Sequence, residues 1–197
     1  SDGGSAFVID DIVQGVIAAR QAARAGGFVT RIGFNYAFGY HAPTDDVFFM
    51  RLKAAIAGAP DFLDDVDFMG LHTYPQFLSE APLGIDFTGQ GFTVTGTSGY
   101  GAIEIDALHT GRCYMDYLGL ARRIPIAVTE VGNTADPDYI AAVLPQIHRY
   151  RGHYNIDSVY YFTYEMLLDA AGAATAGYQA VLNLQKAWSR GDDSAAP

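Results

Sequence analysis

Residues 124 to 133 read IPIAVTEVGN. Ile124, Ile126, Ala127 and Val128 form an apolar run, Thr129 and Glu130 follow directly, and Gly132 breaks the chain. A short apolar run bounded by glycine is the pattern of a strand covered on both faces, as in a parallel sheet. A buried strand that ends in a carboxylate needs a reason, because an unpaired buried charge is costly. Parallel α/β proteins supply one: their functional groups gather at the carboxyl ends of the strands.

Outward from that strand, helical and extended patterns alternate. Residues 7 to 25 place Phe7, Ile9, Ile12, Val13, Val16 and Ile17 at helical spacing, and Gly26 and Gly27 stop the helix. FVTRIGFNYAF, 28 to 38, is rich in aromatic and β-branched residues and reads as a strand. Thr44, Asp45 and Asp46 start a second helix that ends before Gly58 and Pro60. VDFMGLHTY, 66 to 74, is the second strand. A segment rich in Gly and Thr runs from Pro75 to about Tyr100, a length that compact domains usually reserve for function. A helix over about 102 to 122 leads into the third strand, IPIAVTE. Pro137 opens a helix to about residue 151, the fourth strand is SVYYFTY, 158 to 164, and a last helix spans about 174 to 189 before a polar tail. A helix followed by four strand-helix units predicts one α/β domain, residues 1 to 189, with parallel strands.

The chain has 197 residues, half of them hydrophobic, which suits one sizeable core. Twelve basic residues stand against 22 acidic ones, a net charge of -10, which argues against nucleic acid as a partner. No apolar run reaches the ~20 residues of a membrane span. A single cysteine, Cys113, excludes an intrachain disulfide; its tyrosine and leucine neighbours read as a helix core position and an inert thiol. Neither the cysteine count nor the absence of a leader settles the compartment, an extracytoplasmic one being favoured.

The four strand ends carry polar and aromatic groups in step. They are Asn35, Tyr36 and Phe38; then His72, Tyr74 and Pro75; then Thr129, Glu130 and Asn133; then Tyr161, Thr163, Tyr164 and Glu165. Converging, they would line a cleft with a carboxylate, an imidazole, an amide and aromatic rings. Such a set suits a sugar, which offers apolar C–H faces and a rim of hydroxyls. Each also has a plainer reading. Glu130 could be satisfied by backbone amides at a helix N-terminus, His72 could be a core histidine, Tyr74 a cap, and at least one of Tyr160, Tyr161 and Tyr164 simple packing.

VDFMGLHTYP and IPIAVTEVGN resemble the sixth and seventh strands of clan A (β/α)8 glycoside hydrolases. The resemblance implies that Glu130, in the Thr-Glu pair, is the nucleophile of a retaining enzyme acting on a β-linked glycan or glycoside, with no cofactor. It implies that His72 and Tyr74 contact the nucleophile or the sugar; Asn35, Asn133, Tyr161 and Tyr164, read from the strand ends, complete the expected substrate site. It covers four units, strands five to eight, where a whole barrel takes ~250 residues. The clan's acid/base glutamate, at the end of strand four, is therefore expected on an N-terminal half, a separate chain or a second copy that completes the barrel. Glu165 is a weaker stand-in. The alternative is a carbohydrate-binding or scaffold protein that kept the fold without catalysis.

Other motifs carry less. Asp64, Asp65 and Asp67 lack the glycine and glutamate of a calcium loop and read as a solvated turn. The histidines show no zinc spacing, so no metal is expected. Esterase, nucleotide and dinucleotide motifs are absent. Arg190-Gly191-Asp192 is an adhesion-like tripeptide attributed to chance.

Overall fold

The computed structural model describes residues 6–38, 43–73, 102–121, 123–132, 137–162 and 167–190. Among them, helices and strands alternate as α1 (Ala6–Gly26), β1 (Gly33–Ala37), α2 (Pro43–Ala57), α3 (Asp61–Asp65), β2 (Phe68–Thr73), α4 (Ala102–Leu118), β3 (Ile126–Gly132), α5 (Pro137–Tyr154), β4 (Ile156–Phe162) and α6 (Ala176–Ser189). The four strands form one sheet in the order β1-β2-β3-β4, every neighbouring pair parallel. No described helix is long and apolar enough to cross a membrane.

Each strand sends alternate side chains to opposite faces. Phe34 and Tyr36 of β1, Met69 and Leu71 of β2, and Ile126 and Val128 of β3 are buried in one hydrophobic cluster with the helices. α1 adds Ile9, Val13 and Val16, α2 adds Phe49 and Leu52, and α5 adds Ile140, Val143 and Ile147. The other face is more open: Asn35 and Ala37 are exposed, and His72, Thr129 and Glu130 are half-buried. One face of the sheet therefore makes the core, and the other presents polar groups.

Four expectations change. The first strand begins at Gly33 rather than residue 28, because Gly33 pairs with Phe68, where β2 itself starts. Phe28 and Val29, without ladder partners, stay exposed. The acidic run is not a solvated turn: Asp61–Asp65 is a helix, Asp65 is buried and pairs with Arg24 at 2.9 Å, and Asp67 pairs with Arg20. These pairs tie α1 to the start of β2, and Asp67 also accepts the Ile32 amide at 2.8 Å. Cys113 faces outward from α4 rather than into the core, its Sγ 3.6 Å from Nε2 of His109. Phe7, expected on the buried stripe of α1, lies outside it, 75% exposed.

The buried face of α4 carries charge that periodicity does not announce. Arg112 donates to the carbonyls of Ile124 at 3.1 Å and Tyr154 at 2.7 Å. It thereby joins the approaches to β3 and β4. Glu104 is fully buried and accepts the Tyr139 hydroxyl at 2.6 Å. Polar groups so buried are tolerated because they are bonded. His109 is also buried; desolvation, then the positive field of His153, lowers its pKa and favours neutral imidazole.

A second tie links the segment before β1 to β4. Arg31, just before β1, pairs with Asp157 of β4 at 2.6 Å, and its guanidinium lies 5.2 Å from the ring centre of Phe68 on β2. It spans the sheet between the two edge strands. Arg31 is half exposed, so solvent screens the pair. Alanine at either position is expected to cost less than about 1 kcal/mol, with a coupling of ~0.2–1 kcal/mol in a double-mutant cycle followed by urea unfolding. Purely additive losses would mean that the pair ties nothing together.

Candidate active site

The site is built around an irregularity in β3. Leu71 pairs with Val128, yet His72 pairs with Glu130; on the other side Val159 pairs with Val128 and Tyr161 with Val131. Against both neighbours β3 therefore carries one extra residue at Thr129–Glu130. This is a β-bulge, a device that re-aims side chains and is frequent beside active sites.

The bulge decides where Glu130 points. In a regular strand Glu130 would share a face with Ile126 and Val128, inside the helix-covered core. The extra residue shifts the alternation, so Val131 takes the core position and is fully buried. Thr129 and Glu130 both reach the open face. Glu130 Oε2 lies 3.5 Å from Nδ1 of His72, with both side chains partly exposed. Thr129 donates its hydroxyl to the Leu71 carbonyl at 3.4 Å, where the ladder is interrupted. The carboxylate thus keeps solvent on one side and an imidazole on the other.

His72 holds its place through the strand itself. Its Nε2 is buried without a hydrogen-bond partner among the described residues. The ring therefore meets Glu130 through one nitrogen and has the other in a dry position.

Asn35 lies one strand further out. Its Oδ1 occupies the space above Gly70: a Cβ built there would overlap it and come within 3.1 Å of the Thr129 hydroxyl. Glycine at 70 thus lets an amide from β1 approach a hydroxyl from β3 across β2. Asn35, His72, Thr129 and Glu130 form one polar row on the open face.

Tyr161 is placed differently. Its ring packs on the core cluster and fills the space beside Gly132, where a Cβ would meet it at 2.5 Å. Tyr160, not singled out among the sequence-derived site residues, stands out from the sheet on β4, 59% exposed. Tyr74, Asn133, Tyr164, Thr163 and Glu165, and the long segment from Pro75, lie outside the described residues.

No group of three or more His, Cys, Asp or Glu side chains among the described residues is arranged to hold a metal ion. A cavity of about 520 Å³ lined by Ile9, Asp10, Arg51, Ala54 and Ala55 belongs to α1 and α2 and shares no residue with this row. Chemically, the row offers a partly solvated carboxylate, an adjacent imidazole, an amide and a hydroxyl, all on strands. No protein-family model, curated protein or solved structure matches the chain.

Proposed function

We propose that the chain forms strands five to eight of a (β/α)8 glycoside hydrolase and carries its nucleophile, Glu130. The observation that supports this reading most is the bulge, which turns a carboxylate out of the core and sets it 3.5 Å from His72. The all-parallel sheet, covered by helices on one face, is compatible with half of such a barrel.

The chemistry follows from the parts. A retaining glycosidase needs two carboxyl groups ~5 Å apart. Glu130 attacks the anomeric carbon, forming a bond to its oxygen as the glycosidic bond breaks. His72 positions the carboxylate, and Asn35 meets the sugar hydroxyls. The second carboxyl group, which protonates the leaving oxygen and then activates water, comes from the N-terminal half of the barrel.

The test sidesteps that second group. A 2,4-dinitrophenyl 2-deoxy-2-fluoro-β-glycoside has a leaving group that departs without protonation. The fluorine slows hydrolysis of the adduct, because it disfavours the oxocarbenium-like transition state. Incubation with the chain is expected to add one fluoroglycosyl unit, located on Glu130 by peptide mass mapping. Labelling elsewhere, or none with gluco-, galacto-, manno- and xylo-configured reagents, would sink the nucleophile assignment. Sugar binding without labelling would favour a non-catalytic carbohydrate-binding protein.

A further inference from the structure

We infer that His109 and Cys113 form a two-point chelate on α4 for a thiophilic divalent cation, Zn²⁺ above all. The site stands apart from the glycosidase reading. The two residues bound the run HTGRC, 109 to 113, and residues four apart share one face of a helix. The Sγ of Cys113 lies 3.6 Å from Nε2 of His109. Zinc binds thiolate sulfur at ~2.3 Å and imidazole nitrogen at ~2.0–2.1 Å, and a tetrahedral angle between those bonds sets the two atoms about 3.5–3.6 Å apart. The pair therefore already has the bite that one zinc ion requires.

The two ligands are held differently, and both suit the role. Cys113 is exposed, so a cation reaches the thiol from solvent. His109 is buried, and its ring meets that of Tyr154 on α5 edge-on, 6.0 Å between centres. That packing fixes the imidazole, so binding has to order one side chain rather than two. A thiolate selects Zn²⁺ over Mg²⁺ and Ca²⁺, which prefer oxygen ligands. Asp106, one turn earlier, accepts the Thr110 hydroxyl at 3.4 Å, and no third group among the described residues is placed to complete a cluster. Two protein ligands leave the remaining positions to water. On binding, the S–H bond breaks, the metal–sulfur bond forms and one proton goes to solvent. The spacing escaped notice in the sequence because it mixes residue types, one imidazole and one thiol.

Co²⁺ is the probe, because it takes the same ligands and reports a bond to sulfur by a thiolate-to-metal charge-transfer band. Titrating the reduced chain with CoCl₂ is expected to raise that band with one ion per chain, and Zn²⁺ is expected to abolish it by displacement. Cys113→Ser removes the band. His109→Gln keeps the band but weakens Co²⁺ at least ~10-fold, since losing even a partner outside the ligand set costs that much. His109 is buried, so the unaltered chain supplies a second readout: alkylation of Cys113 by iodoacetamide slows when Zn²⁺ is added and recovers with EDTA. No band at millimolar Co²⁺, together with alkylation that ignores Zn²⁺, would mean a thiol–imidazole hydrogen bond and nothing more, and overturns the assignment. Equal Co²⁺ affinity in a folded His109→Gln variant would mean a thiol acting alone, and overturns it as well.

Discussion

In a barrel completed by its N-terminal half, Glu130→Gln is expected to lower turnover of an aryl β-glycoside by about 10³-fold or more. The amide has almost the same shape but cannot attack the anomeric carbon. Substrate affinity should change little, because Asn35 remains and the amide keeps the shape of the carboxylate. Stability should also change little: Glu130 and His72 are both partly exposed, and such pairs contribute less than about 1 kcal/mol. Lost turnover with retained binding is the signature of a missing nucleophile. A variant that keeps most of its activity would show that another group attacks, and that the Glu130–His72 contact is only structural.

The alternation of elements was legible because each has a strong local signal. Apolar runs ended at glycines or prolines, and helical spacing filled the gaps between them. What failed locally was the first strand, where aromatic residues from Phe28 suggested five more strand residues than the ladder supports. A strand exists only where a partner offers hydrogen bonds, and β2 starts too late to pair with Phe28 or Val29. The buried charges of α4 were hidden for a similar reason. Arg112 is tolerated inside because the carbonyls of Ile124 and Tyr154, 12 and 42 residues away, come to meet it.

The candidate site was half legible. Glu130, His72 and Asn35 were all read from strand ends, and β1, β2 and β3 bring them to one face. The bulge was not legible, since nothing in IPIAVTEVG marks an inserted residue. Strict alternation would have buried Glu130 beside Val128. The choice between Tyr160 and Tyr161 depends on the same register, so the sequence favoured the neighbour of the exposed ring. Register is a property of two strands, and one strand's sequence carries only half of it.

Gly132→Ala should be the most damaging small substitution near the site, costing roughly 2–4 kcal/mol in a denaturant titration. Two causes add. Gly132 has φ +111°, a backbone conformation that side chains with a Cβ rarely adopt. The new Cβ would also meet the Tyr161 ring at 2.5 Å. The two causes can be separated. Gly119 likewise has positive φ, +86°, but open space where its Cβ would go, so Gly119→Ala reports backbone strain alone. Adding Tyr161→Ala to Gly132→Ala should recover the part due to overlap, and the double variant should then be more stable than the sum of the singles predicts. Glu130 lies two residues before Gly132, so a backbone displaced there also moves the carboxylate away from His72. Fluoroglycoside labelling should slow in Gly132→Ala and not in Gly119→Ala. Equal losses of stability and equal labelling in the two variants would mean that the glycine ends the strand without shaping the site.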